Sequence, residues 1–182
     1  MQFVAITAVG RDRPGTVAEF SGALLRLGCN LEETTMTRLR GEFAMLLLVR
    51  LPEDRTPAEL EAELRKTAER MGLSVIVRPL SLEEAFPEPP DQPHPAYMLR
   101  VYGADRPGIV HAVASLLGEK GGNITDLNTR LIEGANGPVY VMLLEADLPS
   151  EATAETLRPE LQRLQRELEV DITLSELEDE AL

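Results

Sequence analysis

The chain has 182 residues, a formal net charge of −13, 43% hydrophobic and 4% aromatic residues, no Trp and one cysteine. That length holds one medium domain or two small ones, with a core built mostly of Leu, Val, Ile, Met and Ala. The negative charge argues against direct binding to nucleic acid or to an anionic membrane surface, and the lone Cys29 against a disulfide framework or a thiolate metal cluster.

From the start of the chain, Gln2 to Val9 alternates as a strand. Pro14 then opens a helix with Val17, Phe20, Leu24 and Leu27 at helical spacing, and Gly28 ends it as a left-handed C-cap. A polar strand follows from about Leu31 to Arg40, with a turn at Arg40-Gly41-Glu42. Phe43 to Val49 is a strand apolar on both faces, which predicts that its outer face is covered by the other half of the chain or by another chain. Thr56-Pro57 starts a second helix whose buried stripe is Leu60, Leu64, Ala68 and Met71, and a last strand runs from Leu73 to about Leu80.

The chain then repeats itself. Gly10-Arg11-Asp12-Arg13-Pro14-Gly15 recurs as Gly103-Ala104-Asp105-Arg106-Pro107-Gly108, and a shift of 93 positions gives nine identities over the 21 positions from Gly10 to Asn30. Beyond the next strand the shift becomes 97, which superposes Met45 on Met142, Pro52 on Pro149, Thr56 on Thr153 and Leu60 on Leu157. The four extra residues are expected in a longer hairpin loop around Gly134 to Gly137. In the second copy Pro159 falls well inside a helix that would start at Thr153, so either the helix begins at Pro159 or its first turn is bent. Five prolines lie in the ten residues Phe86 to Pro95. The predicted organisation is therefore a first module at 1–82, a Pro-rich linker at 83–95, a second module at 96–176 and an acidic tail at 177–182. Each module is α+β, a βαββαβ ferredoxin-like unit with a four-stranded antiparallel sheet and two helices on one face.

The candidate chemistry lies between the first strand and first helix of each copy. The helix start leaves backbone amides free to attract a carboxylate or phosphate, while Asp12 and Asp105 suit an ammonium group; together they fit the zwitterion of a free amino acid. The candidate ligand-binding residues are Asp12, Arg13, Pro14, Gly15, Thr16 and Asn30, with Asp105, Arg106, Pro107, Gly108, Ile109 and Asn123 in the second copy. Asn30 and Asn123, at the far end of the helix, reach only the ligand of a neighbouring module. His94 and His111 have no ligand-spaced partner, Cys29 reads as a packing residue, and Glu59, Glu61, Glu63 and Glu69 read as a solvated face. No catalytic residue, metal or cofactor is expected. The first residues do not read as a signal peptide and no run is of transmembrane length, so a cytoplasmic protein is expected.

With Asp12-Arg13-Pro14-Gly15, Asp105-Arg106-Pro107-Gly108, Asn30 and Asn123, the sequence resembles the ACT domain family, the small-molecule-binding regulatory modules of amino-acid metabolism. Two copies on a short linker are most similar to the glycine cleavage system transcriptional repressor family. The resemblance implies ligands held where modules meet, the loop on one side and the asparagine of the adjoining module on the other. It also implies an amino acid such as glycine or serine as ligand and a partner regulator protein or enzyme, while the apolar strand Phe43 to Val49 leads to the expectation of a homodimer. An alternative it allows is the regulatory subunit of an amino-acid biosynthetic enzyme.

Overall fold

The computed structural model describes residues 2–88, 94–134 and 137–177. The chain parts between residues 89 and 90 into two compact units. Residues 89–93 of the proline-rich stretch, residues 135–136 of the hairpin and nearly all of the acidic tail lie outside the described residues.

The first unit runs β1 (Gln2–Arg11), α1 (Thr16–Arg26), β2 (Asn30–Leu39), β3 (Glu42–Leu51), α2 (Pro57–Met71), β4 (Leu73–Leu80) and a short α3 (Leu82–Ala85). The second runs β5 (Ala96–Gly103), α4 (Ile109–Glu119), β6 (Asn123–Gly134), β7 (Gly137–Asp147), α5 (Glu151–Leu168) and β8 (Val170–Glu176). Each is a four-stranded antiparallel sheet, in the orders β2-β3-β1-β4 and β6-β7-β5-β8. The two most apolar strands of each copy are central, because only there do both strand edges find hydrogen-bond partners while one face is packed under helices. In the first unit Val4, Ile6, Met45, Leu47 and Val49 from the sheet meet Phe20 and Leu24 of α1 and Leu60 and Leu64 of α2. In the second, Leu99, Val101, Met142 and Leu144 meet Val113, Leu117, Leu157 and Leu161.

Local chemistry accounts for the element ends. Thr56 accepts from the Glu59 amide while the Glu59 carboxylate accepts from the Thr56 amide, a closed capping box with proline in the first turn. Gly28 and Gly121 have φ of 73° and 75°, and behind them the amides of Cys29 and Gly122 reach back to the carbonyls of Leu24 and Leu117. This is the same left-handed helix end in both copies, and an added Cβ at either glycine would also lie against Pro52 or Pro149. The repeated Leu, Gly and Pro therefore form one device for turning the chain from helix to edge strand.

Four findings depart from the sequence reading. The four extra residues of the second hairpin lengthen its ladder instead of its loop, adding the pairs Glu133 with Pro138 and Gly134 with Gly137. Helix α5 starts at Glu151, capped by Ser150, and continues past Pro159 to Leu168, since the packing of Leu157 and Leu161 on the sheet outweighs one missing amide. Helix α1 begins at Thr16, so Pro14 and Gly15 stand outside it. Finally, the outer face of the first sheet is closed at one end by its own chain. Helix α3, capped by Ser81, folds over it; Phe86 sets its ring edge-on to Phe3 at 5.1 Å, and Phe3 is only 6% exposed. Leu46 and Ile76 on the same face are left exposed by their own unit.

Candidate functional site

Each repeated loop leaves the end of a central strand and turns into the first helix of its module. Its leading glycine is there for packing. A Cβ on Gly10 would lie 2.7 Å from the Gly72 carbonyl oxygen, and one on Gly103 would lie 2.7 Å from Val170 Cγ1. The first residues of β4 and β8 come so close to the strand end that no side chain fits. The closing glycines are there for backbone reasons: Gly15 and Gly108 are the N-caps of α1 and α4, with φ of 86° and 98° and open space where a Cβ would stand. Neither helix start has a side-chain cap, so first-turn amides keep unsatisfied donor capacity and the positive end of the helix faces outward.

Thr16 departs from its expected role. It is buried, and both its amide (3.3 Å) and its hydroxyl (2.8 Å) donate to the Arg13 carbonyl, folding the loop back on itself. Its counterpart Ile109 is buried in the second core. Both side chains hold their loops in place from below, because a first-turn position on the sheet side of the helix must be covered. Pro14 and Pro107 shape the same turns from the exposed side.

The charges flanking the two helix starts are arranged differently. Asp12 has its amide on the Gly41 carbonyl and its carboxylate on Arg38 of β2, at 3.2 Å. Arg13 stands over the end of α2, 3.4 Å from where a Cβ on Gly72 would be. In the second copy Arg106 is paired with Glu169, the residue that caps α5. Asp105 has no cation within ion-pair distance among the described residues. Burial pushes the Tyr140 phenol up, and the charge of Asp105 adds to that shift. Arg38, Glu169 and Tyr140 escaped the sequence reading. The one signal available was the shift of 97 that sets a glutamate on Gly72.

Asn30 and Asn123 do not join these loops within their own modules, since an eleven-residue helix separates them by roughly 16 Å. Asn30 instead donates to Glu32 at 2.9 Å, and Arg50 donates to the same carboxylate at 2.7 Å. Those two bonds, Asn30's first, hold the Glu32 carboxyl below its ordinary range. Asn30 and Arg50 line a cleft of about 290 Å³ with Gly28, Leu51, Pro52 and Glu53. In the second copy Asn123 opposes Asp147 where Asn30 opposes Arg50, so the cluster is not repeated. Among the described residues no three His, Cys, Asp or Glu side chains gather as a metal site, and no helix is long and apolar enough to cross a membrane.

Comparison with known proteins bears on the whole chain. Residues 2–78 and residues 97–161 each match an ACT domain model. Residues of the chain are 42% identical over 79 positions to a UPF0237 protein of Methanopyrus kandleri, covering 43% of this chain and 88% of that one. Over 154 residues the chain is 25% identical to the glycine cleavage system transcriptional repressor of Escherichia coli, covering 84% of this chain and 77% of that one. The crystal structure of an unknown protein from Galdieria sulphuraria superposes with a TM-score of 0.81 at 31% identity, covering 97% of this chain and 99% of that one.

Proposed function

The chain belongs to the ACT domain family, with two copies in tandem, and from that premise we propose that it is a non-catalytic amino-acid-sensing regulator that controls a partner protein. One observation carries the reading: both copies open their first helix without a side-chain cap, beside an aspartate and an arginine. A helix start of this kind attracts a carboxylate, and a neighbouring carboxylate that no cation holds, as at Asp105 among the described residues but not at Asp12, attracts an ammonium group, so the second loop matches the two ends of a small amino acid such as glycine or serine. The similarity to the Escherichia coli repressor supports a role in controlling gene expression. With a net charge of −13 the chain acts through another protein in preference to nucleic acid. Exposed Leu46 and Ile76 favour a homodimer, since an apolar sheet face in water is stabilised by being covered.

A sensor works by binding its ligand more tightly in one state than in another. The test is a thermal-shift titration with the common amino acids, followed by capture of partners in the presence and absence of the active one. At ten times its dissociation constant a ligand stabilises the native state by about 1.4 kcal/mol, which is about 5–10 °C for a module of this size. Failure of every amino acid, glycine and serine included, to move the transition at 10 mM overturns the reading. Recovery of a biosynthetic enzyme in place of a transcription factor would redirect it to a regulatory subunit.

A further inference from the structure

We infer that two chains of this protein pair through the open edge of β4, strand against antiparallel strand about a two-fold axis at Ile76, so that their first sheets join into one. This contact deepens the homodimer of the proposed function and rests on it, independently of amino-acid sensing.

The two sheets present four edges, β2, β4, β6 and β8, and an uncovered edge is a row of unpaired amides and carbonyls that another strand can take. Three of the four are blunted. β2 carries Glu32, Glu33 and Arg38, and β6 carries Asp126, Arg130 and Glu133. β8 carries Asp171 and is also closed by its own helix: the Ile172 amide donates to Gln165 Oε1 and the Leu174 carbonyl accepts from Arg158 Nη1, each at 3.0 Å. β4 has neither protection. Its Val75 and Val77 match Ile172 and Leu174 at the shift of 97, while Gln165 and Arg158 fall on Ala68 and Glu61. Alanine has no polar atom to offer, and Glu61 accepts from Arg65 of its own helix at 2.7 Å. From Met71 to Val77 the chain carries no charge.

The strand itself selects the occupant. Pro79 has no amide and opposes Val4, so by alternation Pro79, Val77 and Val75 turn their backbone groups away from β1, while Arg78 and Ile76 turn theirs toward it. When β4 pairs with β4 of a second chain, Ile76 meets Ile76, and Val75 and Val77 exchange both of their backbone bonds. One step further out Pro79 meets Leu73, where its carbonyl accepts and no donor is asked of it. On the outer face Ser74 then meets Arg78, so no like charges stand opposite each other, and the β-branched pairs add side-chain contact. A second molecule with net charge −13 approaches at least cost along an uncharged strand. Ile76, 66% exposed in one chain, is covered by the pairing.

The test uses the full chain without ligand, by sedimentation equilibrium up to about 100 µM, with Cys29→Ser as the background for cross-linking. In this register the two Cα atoms at position 76 lie about 4.5 Å apart, within the span of a disulfide. Ile76→Cys is therefore expected to give a covalent dimer on mild oxidation. Leu46→Cys, on the same face but two strands in from the edge, is expected to give none. Ile76→Lys sets two cations on the axis and is expected to weaken the dimer by about tenfold or more, while Leu46→Lys leaves it unchanged. Amide exchange at Val75 and Val77 is expected to slow as the dimer forms and to return to the monomer rate in Ile76→Lys, whose exposed site leaves the fold intact by circular dichroism. A chain that stays monomeric overturns the contact and the homodimer together. A dimer that Leu46→Lys dissociates and Ile76→Lys spares, or one without the cross-link at position 76, overturns the contact and leaves the homodimer standing.

Discussion

Gly103→Ala tests the claim that the first glycine of each repeated loop serves packing. The added methyl would stand 2.7 Å from Val170 Cγ1 and 3.0 Å from Val170 Cα. Normal carbon–carbon contact is about 3.5–4.0 Å, so β8 must move from β5 by roughly 1 Å or the strand end must twist. Overpacking of this degree costs about 1–3 kcal/mol. Urea unfolding offers a clean assay, because all three tyrosines, Tyr97, Tyr102 and Tyr140, lie in the second module and the chain has no Trp. Tyrosine fluorescence thus follows the second module alone, while far-UV circular dichroism follows both. With a slope of about 1–2 kcal/mol/M, a loss of 2 kcal/mol moves the fluorescence midpoint down by about 1–2 M. The matched change Gly10→Ala places its methyl 2.7 Å from the Gly72 carbonyl oxygen. It is expected to lower the dichroism signal of the first module and leave the tyrosine transition in place. A fluorescence midpoint within about 0.2 M of wild type for Gly103→Ala would show that the strand end relaxes freely and would refute the packing role.

Two further outcomes follow from the caps and the thiol. Thr56→Ala removes the capping box of α2 and is expected to cost about 1 kcal/mol at pH 7, read by chemical denaturation. The Thr56 amide, then its hydroxyl, hold the Glu59 carboxyl below its ordinary value, so that contribution is present above the unfolded value and is lost as pH falls through the folded one. The gap between variant and wild type should therefore narrow on acidification below about pH 4, and a gap that widens there would contradict the assignment. Burial pushes the Cys29 thiol up against the opposing charge of Arg55, so iodoacetamide at pH 7.5 is expected to alkylate it more slowly than a free small-molecule thiol. A faster rate would mark it as an activated nucleophile.

Much of this molecule was legible in one dimension because its information is local and occurs twice. The helical spacing of Phe20 and Leu24, the alternation of Gln2 to Val9 and the Thr56-Pro57 start each follow from neighbouring residues. Their recurrence after 93 or 97 positions specifies two βαββαβ units. The βαββαβ order puts the first and third strands of each unit at the centre, and these are the most apolar. The repeat also marked Gly10, Gly15, Gly28 and their partners, but not why they are glycine. Gly10 answers to the close approach of Leu73, sixty-three residues on, while Gly15 and Gly28 answer to left-handed backbone. Only the tertiary structure decided that Thr16 turns into the loop, that α3 and Phe86 close over Phe3, and that the two loops are neutralised at opposite charges. Those outcomes depend on side chains brought together from opposite ends of a module. Arg38 meets Asp12 across a strand turn, and Glu169 meets Arg106 only because the end of one helix is packed beside the start of another. Periodicity in the sequence sets which face of an element is buried; the pairing of charges between elements is set by where packing leaves them.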